Sequence, residues 1–289
     1  MNRLIAAFLA VSFSSVAGLH AQSAPPPKLE FPAASPAATV KQRVGLTEVE
    51  INYSQPSVKG RKIFGGLEPY GKVWRTGANS ATKITFSTAV KLNETEIPAG
   101  SYELFTIPDP KEWTVIIHKA MSQWGAYKYD EKNDVARIKV KPTKLPQLVE
   151  SLSIALTNLR DDSALLCIDW ENTRVPVNLT VDTVGALVPK IEALMASDAE
   201  KKPYASAAMF YADHNLDLKK AIAWMDAAIA ATPNNFYLVY HKADILAKAG
   251  DKAGALAAAK QSIELADKEG GVVKDEYVRL NEALIAKLK

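Results

Sequence analysis

Cysteine is almost absent from this sequence. Cys167 is the single one in 289 residues, which excludes an internal disulfide. It stands in the apolar run Leu165-Leu166-Cys167-Ile168 and reads as a small buried hydrophobe rather than a reactive thiol. Histidine is scarce too. Beyond His20, only His118, His214 and His241 occur; no two have metal-ligand spacing, so no metal site and no cofactor are expected. Charge is spread thinly. The net charge is +3, without a block of five or six like charges, and neither a nucleic-acid footprint nor a charged tail is present. No apolar run reaches the roughly 20 residues of a membrane span. There is no Gly-x-Ser-x-Gly elbow and no βαβ alternation, which removes a Rossmann-type fold.

What is present describes a globular chain. With 48% hydrophobic and 23% charged residues, it is long enough for two cores. Met1-Asn2-Arg3 is followed by the apolar run Leu4 to Val11 and then small and polar residues to Ala21. This pattern predicts a signal peptide over 1–21, cleaved before Gln22. No cysteine stands at the cut, so a lipoprotein is not expected, and the location expected is periplasmic or secreted. Residues 22–38 carry five prolines and read as a flexible, extended linker.

From 39 to 182 the period is two. Val49, Ile51 and Tyr53 alternate with Glu48, Glu50 and Asn52, and Trp113, Val115 and Ile117 alternate with Thr114, Ile116 and His118. Such alternation buries one face and wets the other. Eight to ten short strands with Gly/Pro turns predict an antiparallel β-sandwich or jelly-roll-like domain, with Pro176 marking an edge strand. From 183 to 289 the period becomes helical: Val184, Leu187, Val188, Ile191, Leu194 and Met195 recur on one face. The fold class expected is α+β, in two domains.

Several motifs fail on inspection. Gly66 to Lys72 matches a P-loop for seven positions, but Val73 stands where Ser or Thr should hold magnesium. Ser80-Ala81-Thr82-Lys83 runs into a strand, which sends Ser80 and Lys83 to opposite faces. Asp169 and Glu171 share a strand face, with β-carbons roughly 7 Å apart, a spacing open to a two-carboxylate hydrolase. The plainer reading is two solvated side chains. His118 reads as solvated or cross-strand paired. No catalytic residues are assigned.

The most distinctive stretch is Ser57 to Asn79, where five of the fourteen glycines gather. Glycine at that density marks positive φ or close chain approach. Its Arg61, Lys62, Trp74, Arg75 and Asn79, with Trp113, Trp124, Tyr127 and Tyr129 in or beside other loops of the β domain, suit sugar or peptide recognition. The plainer reading makes Trp74 and Trp113 core pillars, with Arg75 and Asn79 satisfying loop carbonyls.

Lys59-Gly60-Arg61-Lys62-Ile63-Phe64-Gly65-Gly66-Leu67, Pro69 to Asn79, Pro98-Ala99-Gly100 with Tyr102, Trp113-Thr114-Val115-Ile116, and Gln123-Trp124-Gly125 with Tyr129-Asp130 resemble the domain-of-unknown-function 2911 family over about 33–182. The resemblance implies an exported β-rich domain and carries over no catalytic residue. Further on, Asn215-Leu216-Asp217 and Ala249-Gly250-Asp251 repeat at 251 − 217 = 34 residues. Residues 202–235 and 236–269 thus resemble two tetratricopeptide repeats, although Asp267 stands where proline is usual. That likeness implies a protein-binding helical array. Three function classes stay open: a non-enzymatic binding module for a glycan or protein, a hydrolase of envelope polymers, and a structural envelope component.

Overall fold

The computed structural model describes Leu29 and residues 31–119 and 122–289. The signal peptide expected at 1–21 and the linker residues 22–28 lie outside the described residues. Within them ten strands precede six helices: β1 (Ala37–Val44), β2 (Thr47–Ser54), β3 (Thr82–Phe86), β4 (Val90–Leu92), β5 (Thr95–Ile97), β6 (Gly100–Ile107), β7 (Trp113–Lys119), β8 (Asp134–Val140), β9 (Thr143–Thr157) and β10 (Ser163–Thr180), then α1 (Thr183–Ala196), α2 (Tyr204–Asp213), α3 (Leu218–Ala231), α4 (Phe236–Lys248), α5 (Lys252–Glu269) and α6 (Gly271–Leu288). The chain is α+β.

The strands form two antiparallel sheets, ordered β1-β2-β3-β6-β7-β8 and β5-β4-β10-β9. Period-two alternation gives each sheet one apolar face. Ile51, Ile84, Leu104 and Val115 from the first sheet and Leu92, Ile154, Leu166 and Val177 from the second belong to one buried cluster. Each such side chain contributes about 1.5–3 kcal/mol relative to exposure.

Two local patterns differ from the alternation. In β7 the residues Trp113 to His118 are buried on both faces, because residues 122–133 fold back over the outer side of β6 and β7. β10 does not carry an edge at Pro176: it lies inside its sheet. It pairs β9 from Leu165 to Arg174 and β4 from Leu179. Pro176 falls between these two ladders, where its missing N–H breaks no bond.

The glycine-rich stretch is a clasp across both sheets. Trp74 exchanges backbone hydrogen bonds with Thr106 of β6 (2.7 and 2.9 Å), and Gly71 N–H reaches Pro108 O (2.9 Å). On the other sheet, Val58 N–H donates to Glu150 O (2.7 Å), and Ile63 N–H to Glu171 Oε1 (3.3 Å). Between these ties the stretch inserts Phe64 edge-on against Trp113, with centroids 4.7 Å apart, while Trp74 stacks on Trp170 at 5.6 Å.

The helices follow from alanine-rich faces and well-placed caps. Asp182, Asp217, Asn235 and Asp251 each accept a backbone N–H in the first turn of α1, α3, α4 and α5, which satisfies donors that helix geometry orphans. Ala221 and Ala255, 34 residues apart, are both fully buried.

Candidate functional site

The outer face of the six-stranded sheet carries the site. Strand alternation sets Asn52 of β2, Lys83 of β3, and Ser101 and Glu103 of β6 side by side: Asn52 is in register with Lys83, and Lys83 with Glu103. The chain on either side of Ser80 meets the 122–125 turn to form the wall. A single antiparallel bridge joins Ser80 to Trp124; Ala81 N–H donates to Gln123 O, and Gly125 N–H to Asn79 O (both 3.1 Å). The result is a groove of about 440 Å³ lined by Asn52, Ser54, Ser80, Lys83, Glu103 and Gln123, among others.

Beneath the groove lies a buried polar knot. Glu103 Oε1 accepts the Gln123 backbone N–H and Oε2 accepts Gln123 Nε2, each at 2.9 Å. His118 Nδ1 stands 3.6 Å from Glu103 Oε2. Its ring nitrogens face two carbonyl oxygens, Lys119 (2.8 Å) and Asp130 (3.3 Å). Glu103, His118 and Gln123 are all at most 5% exposed. Charged and polar groups so buried need partners, and here they find all but one: Gln123 Oε1 is buried without a hydrogen bond.

Two aromatic side chains stand in the open on the same loop. Trp124 is 64% and Tyr127 84% exposed. Gly125 holds this turn: its φ is +69°, and a Cβ there would meet the Tyr127 ring at 2.6 Å, so only glycine lets that ring lie over the backbone.

The residues named from the sequence divide. Asn79 stands beside the groove, its amide donating to Ser54 Oγ (3.3 Å), whereas Trp124 and Tyr127 are exposed on the loop that supplies Ser122 and Gln123 to the wall and do not themselves line it. Trp74 is a core residue, 3% exposed, with its indole N–H bonded to Gly77 O (3.1 Å); the aromatic packing of the two sheets claims it. Arg61 turns back on its own loop and donates to Val58 O (3.0 Å) and Ser57 O (2.6 Å). Lys62 is exposed on the clasp, and Arg75 is half-buried with its Nε unpaired. The Tyr129 ring packs on Phe105 and His118, and its hydroxyl donates to Asp134 Oδ2 (2.6 Å). Burial and that carboxylate push the Tyr129 hydroxyl well above its usual range.

Other sequence readings change with the geometry. Ser80 and Lys83, expected on opposite faces, both line the groove, because Ser80 precedes the regular part of β3. Of the two readings of His118, the cross-strand one holds: it is paired across β6–β7 with Glu103, and it is fully buried rather than solvated, covered by the returning loop. Asp169 is not free either: it takes both arms of Arg174, at 2.8 and 2.6 Å. Glu171 has φ +55° at a break in the β9–β10 register. Near the clasp, burial raises the Glu68 carboxyl to about 7 against the pull of Arg75 and Arg61.

Glu103, Lys83, Asn52 and Gln123 were not singled out individually in the sequence as site residues. Gln123 could have been found through Gln123-Trp124-Gly125. The Lys83–Glu103 neighbourhood depends on strand pairing across 20 residues and leaves no local signal.

The model of one family, described as Protein of unknown function (DUF2911), matches residues 35–179. No curated protein matches the chain, and no solved structure matches it.

Proposed function

The chain belongs to the DUF2911 family, and from that premise we propose that it is a non-enzymatic binding module whose groove on the outer face of the six-stranded sheet takes a glycan. One observation carries the reading: a groove of about 440 Å³ rich in serine, amide and charged side chains, with two exposed aromatic rings on its rim loop. Hydroxyls and amides match the donors and acceptors of a sugar, and aromatic faces suit its C–H surface. The groove lies on a sheet face rather than at a strand edge, so a peptide would gain no ladder of backbone bonds there.

The finer architecture belongs to the same proposal. The two sheets are read as a β-sandwich, and residues 39–182 and 183–289 as separate folding units. The pairs α2/α3 and α4/α5 are read as tetratricopeptide-like hairpins that dock a protein partner. The 34-residue spacing of the capping residues Asp217 and Asp251 supports that reading. The protein is placed in the periplasm or medium after cleavage before Gln22; N-terminal sequencing of recovered protein checks this, and an intact Met1 on cytosolic material overturns it.

The test of binding is thermal melting in the presence of a glycan and peptide library, since a ligand specific for the native state raises the melting temperature. A glycan that stabilises the protein without being consumed is the expected result. Turnover of that glycan would point to the hydrolase class, stabilisation by peptides alone to a protein-binding groove, and silence to a structural component.

A further inference from the structure

We infer that the lead-in ahead of β1 is a strap that docks on the chain's own 122–127 loop, with Leu29 and Phe31 laid against Trp124 and Tyr127. The inference goes beyond the glycan reading and does not depend on it. The first observation is where exposed apolar surface gathers. Among the described residues, five large hydrophobic side chains are more than 60% exposed: Leu29, Phe31, Trp124, Tyr127 and Val272. Four of these five belong to just two segments, the lead-in and the 124–127 turn. A single exposed hydrophobic needs no explanation, but their concentration on adjoining segments marks surface that is meant to be covered.

The second observation is that both segments are tied to the same residue. Asn79 Nδ2 donates to Ser35 O (3.4 Å), and Asn79 O accepts the Gly125 N–H (3.1 Å). Beside it, Ser80 forms the bridge to Trp124, and the Tyr127 ring lies over Gly125. The root of the lead-in is fixed on the other side too, where Gln55 N–H donates to Pro36 O (2.9 Å). From Ser35 the four residues back to Phe31 span up to about 13 Å when extended, which is reach enough for a turn that starts on the far side of Asn79. The occupant follows from this geometry. A segment rooted next to its docking surface meets it at an effective concentration in the mM range, so a few apolar contacts hold it. Pro32 restricts the backbone beside Phe31 and lowers the cost of ordering it. Ala37, one residue past this root, lines the groove, so a ligand that reaches from the groove onto the two rings has to displace the strap.

The experiment uses the whole protein and reads acrylamide quenching of tryptophan fluorescence. Trp74, Trp113 and Trp170 are buried and Trp224 is half-buried, so Trp124 is the ring most open to the quencher; Trp124→Phe in each background isolates its share. Replacing Leu29→Ser and Phe31→Ser together should raise the quenching of Trp124 about twofold, because a ring covered on one face regains that face, with the circular dichroism spectrum unchanged. Unaltered quenching overturns the inference. A second measurement pairs Lys28→Cys with Lys128→Cys; Cys167 is buried and leaves the two introduced thiols to react. An internal disulfide should form, and about tenfold more slowly once Leu29→Ser and Phe31→Ser are added. Equal rates, or disulfide-linked dimers in place of the internal bond, would mean that the lead-in is not seated on its own loop and would overturn the inference, while the glycan reading of the groove stands or falls by its own melting test.

Discussion

Gln123 grips Glu103 twice, with its backbone N–H on one carboxylate oxygen and its side-chain amide on the other, both at 2.9 Å. The grip fastens the 122–130 loop to the outer face of β6 and so creates the groove wall.

Removing the carboxylate should therefore free the loop. Glu103→Leu leaves two Gln123 donors and the His118 ring facing an apolar side chain, at a cost of about 2–4 kcal/mol. Amide hydrogen exchange over 122–126 should accelerate more than over β3 or β7. Wild-type stability with unchanged exchange would show that the loop is held elsewhere.

Trp74 and Asn79 stand five residues apart on the clasp and should respond differently. Trp74 is buried against Trp170 and Phe64, so Trp74→Ala should cost about 3–5 kcal/mol. Asn79 is exposed with φ +61°, and its amide bonds are long, 3.3 and 3.4 Å. Asn79→Ala should cost about 1 kcal/mol through the left-handed backbone, and Asn79→Gly less. Denaturation midpoints decide: equal, large losses for both Asn79 variants would give the side-chain bonds the leading role.

Glu68 predicts a pH dependence. Its folded carboxyl lies at about 7, above its usual 4.5, because burial outweighs Arg75 and Arg61. An acid raised by folding binds its proton more tightly in the native state, so stability falls as pH rises from about 4.5 to about 7 and the penalty is complete above that. Glu68→Gln removes the penalty. The variant should match wild type near pH 4 and exceed it by on the order of 2 kcal/mol at pH 8. A difference that is the same at pH 4, 6 and 8 would overturn this.

The two proposed folding units can be separated at the boundary. Residues 33–182 alone should show a β-type circular dichroism spectrum and one cooperative melting transition, because their buried cluster runs from Val44 to Val181 while the helices build clusters of their own. An unfolded fragment would mean that the helices complete the β core.

How much of this was legible beforehand differs from element to element. Val49-Glu50-Ile51-Asn52-Tyr53 announces β2 because side-chain direction in a strand reverses at each residue, and the switch at Thr183 announces α1 because apolar residues there recur every three to four. Asp217 and Asp251 are readable as caps since capping is local. Trp74 could not be placed, because a tryptophan beside glycines serves a core or a ligand equally well until its neighbours are known.

By itself, the sequence determined the α+β class, the antiparallel strands and the helical end, all of which follow from periodicity and turn chemistry within a few residues. Only the tertiary structure decided which outer face is covered and which is open. Whether His118 meets water depends on a loop 12 residues away in the chain, at Asp130. Whether Glu103 meets water depends on Gln123, 20 residues away, whose backbone and side-chain N–H groups take both of its carboxylate oxygens. Both are contacts between residues distant in the chain, and they exist only once the sheet and the returning loop have brought them together.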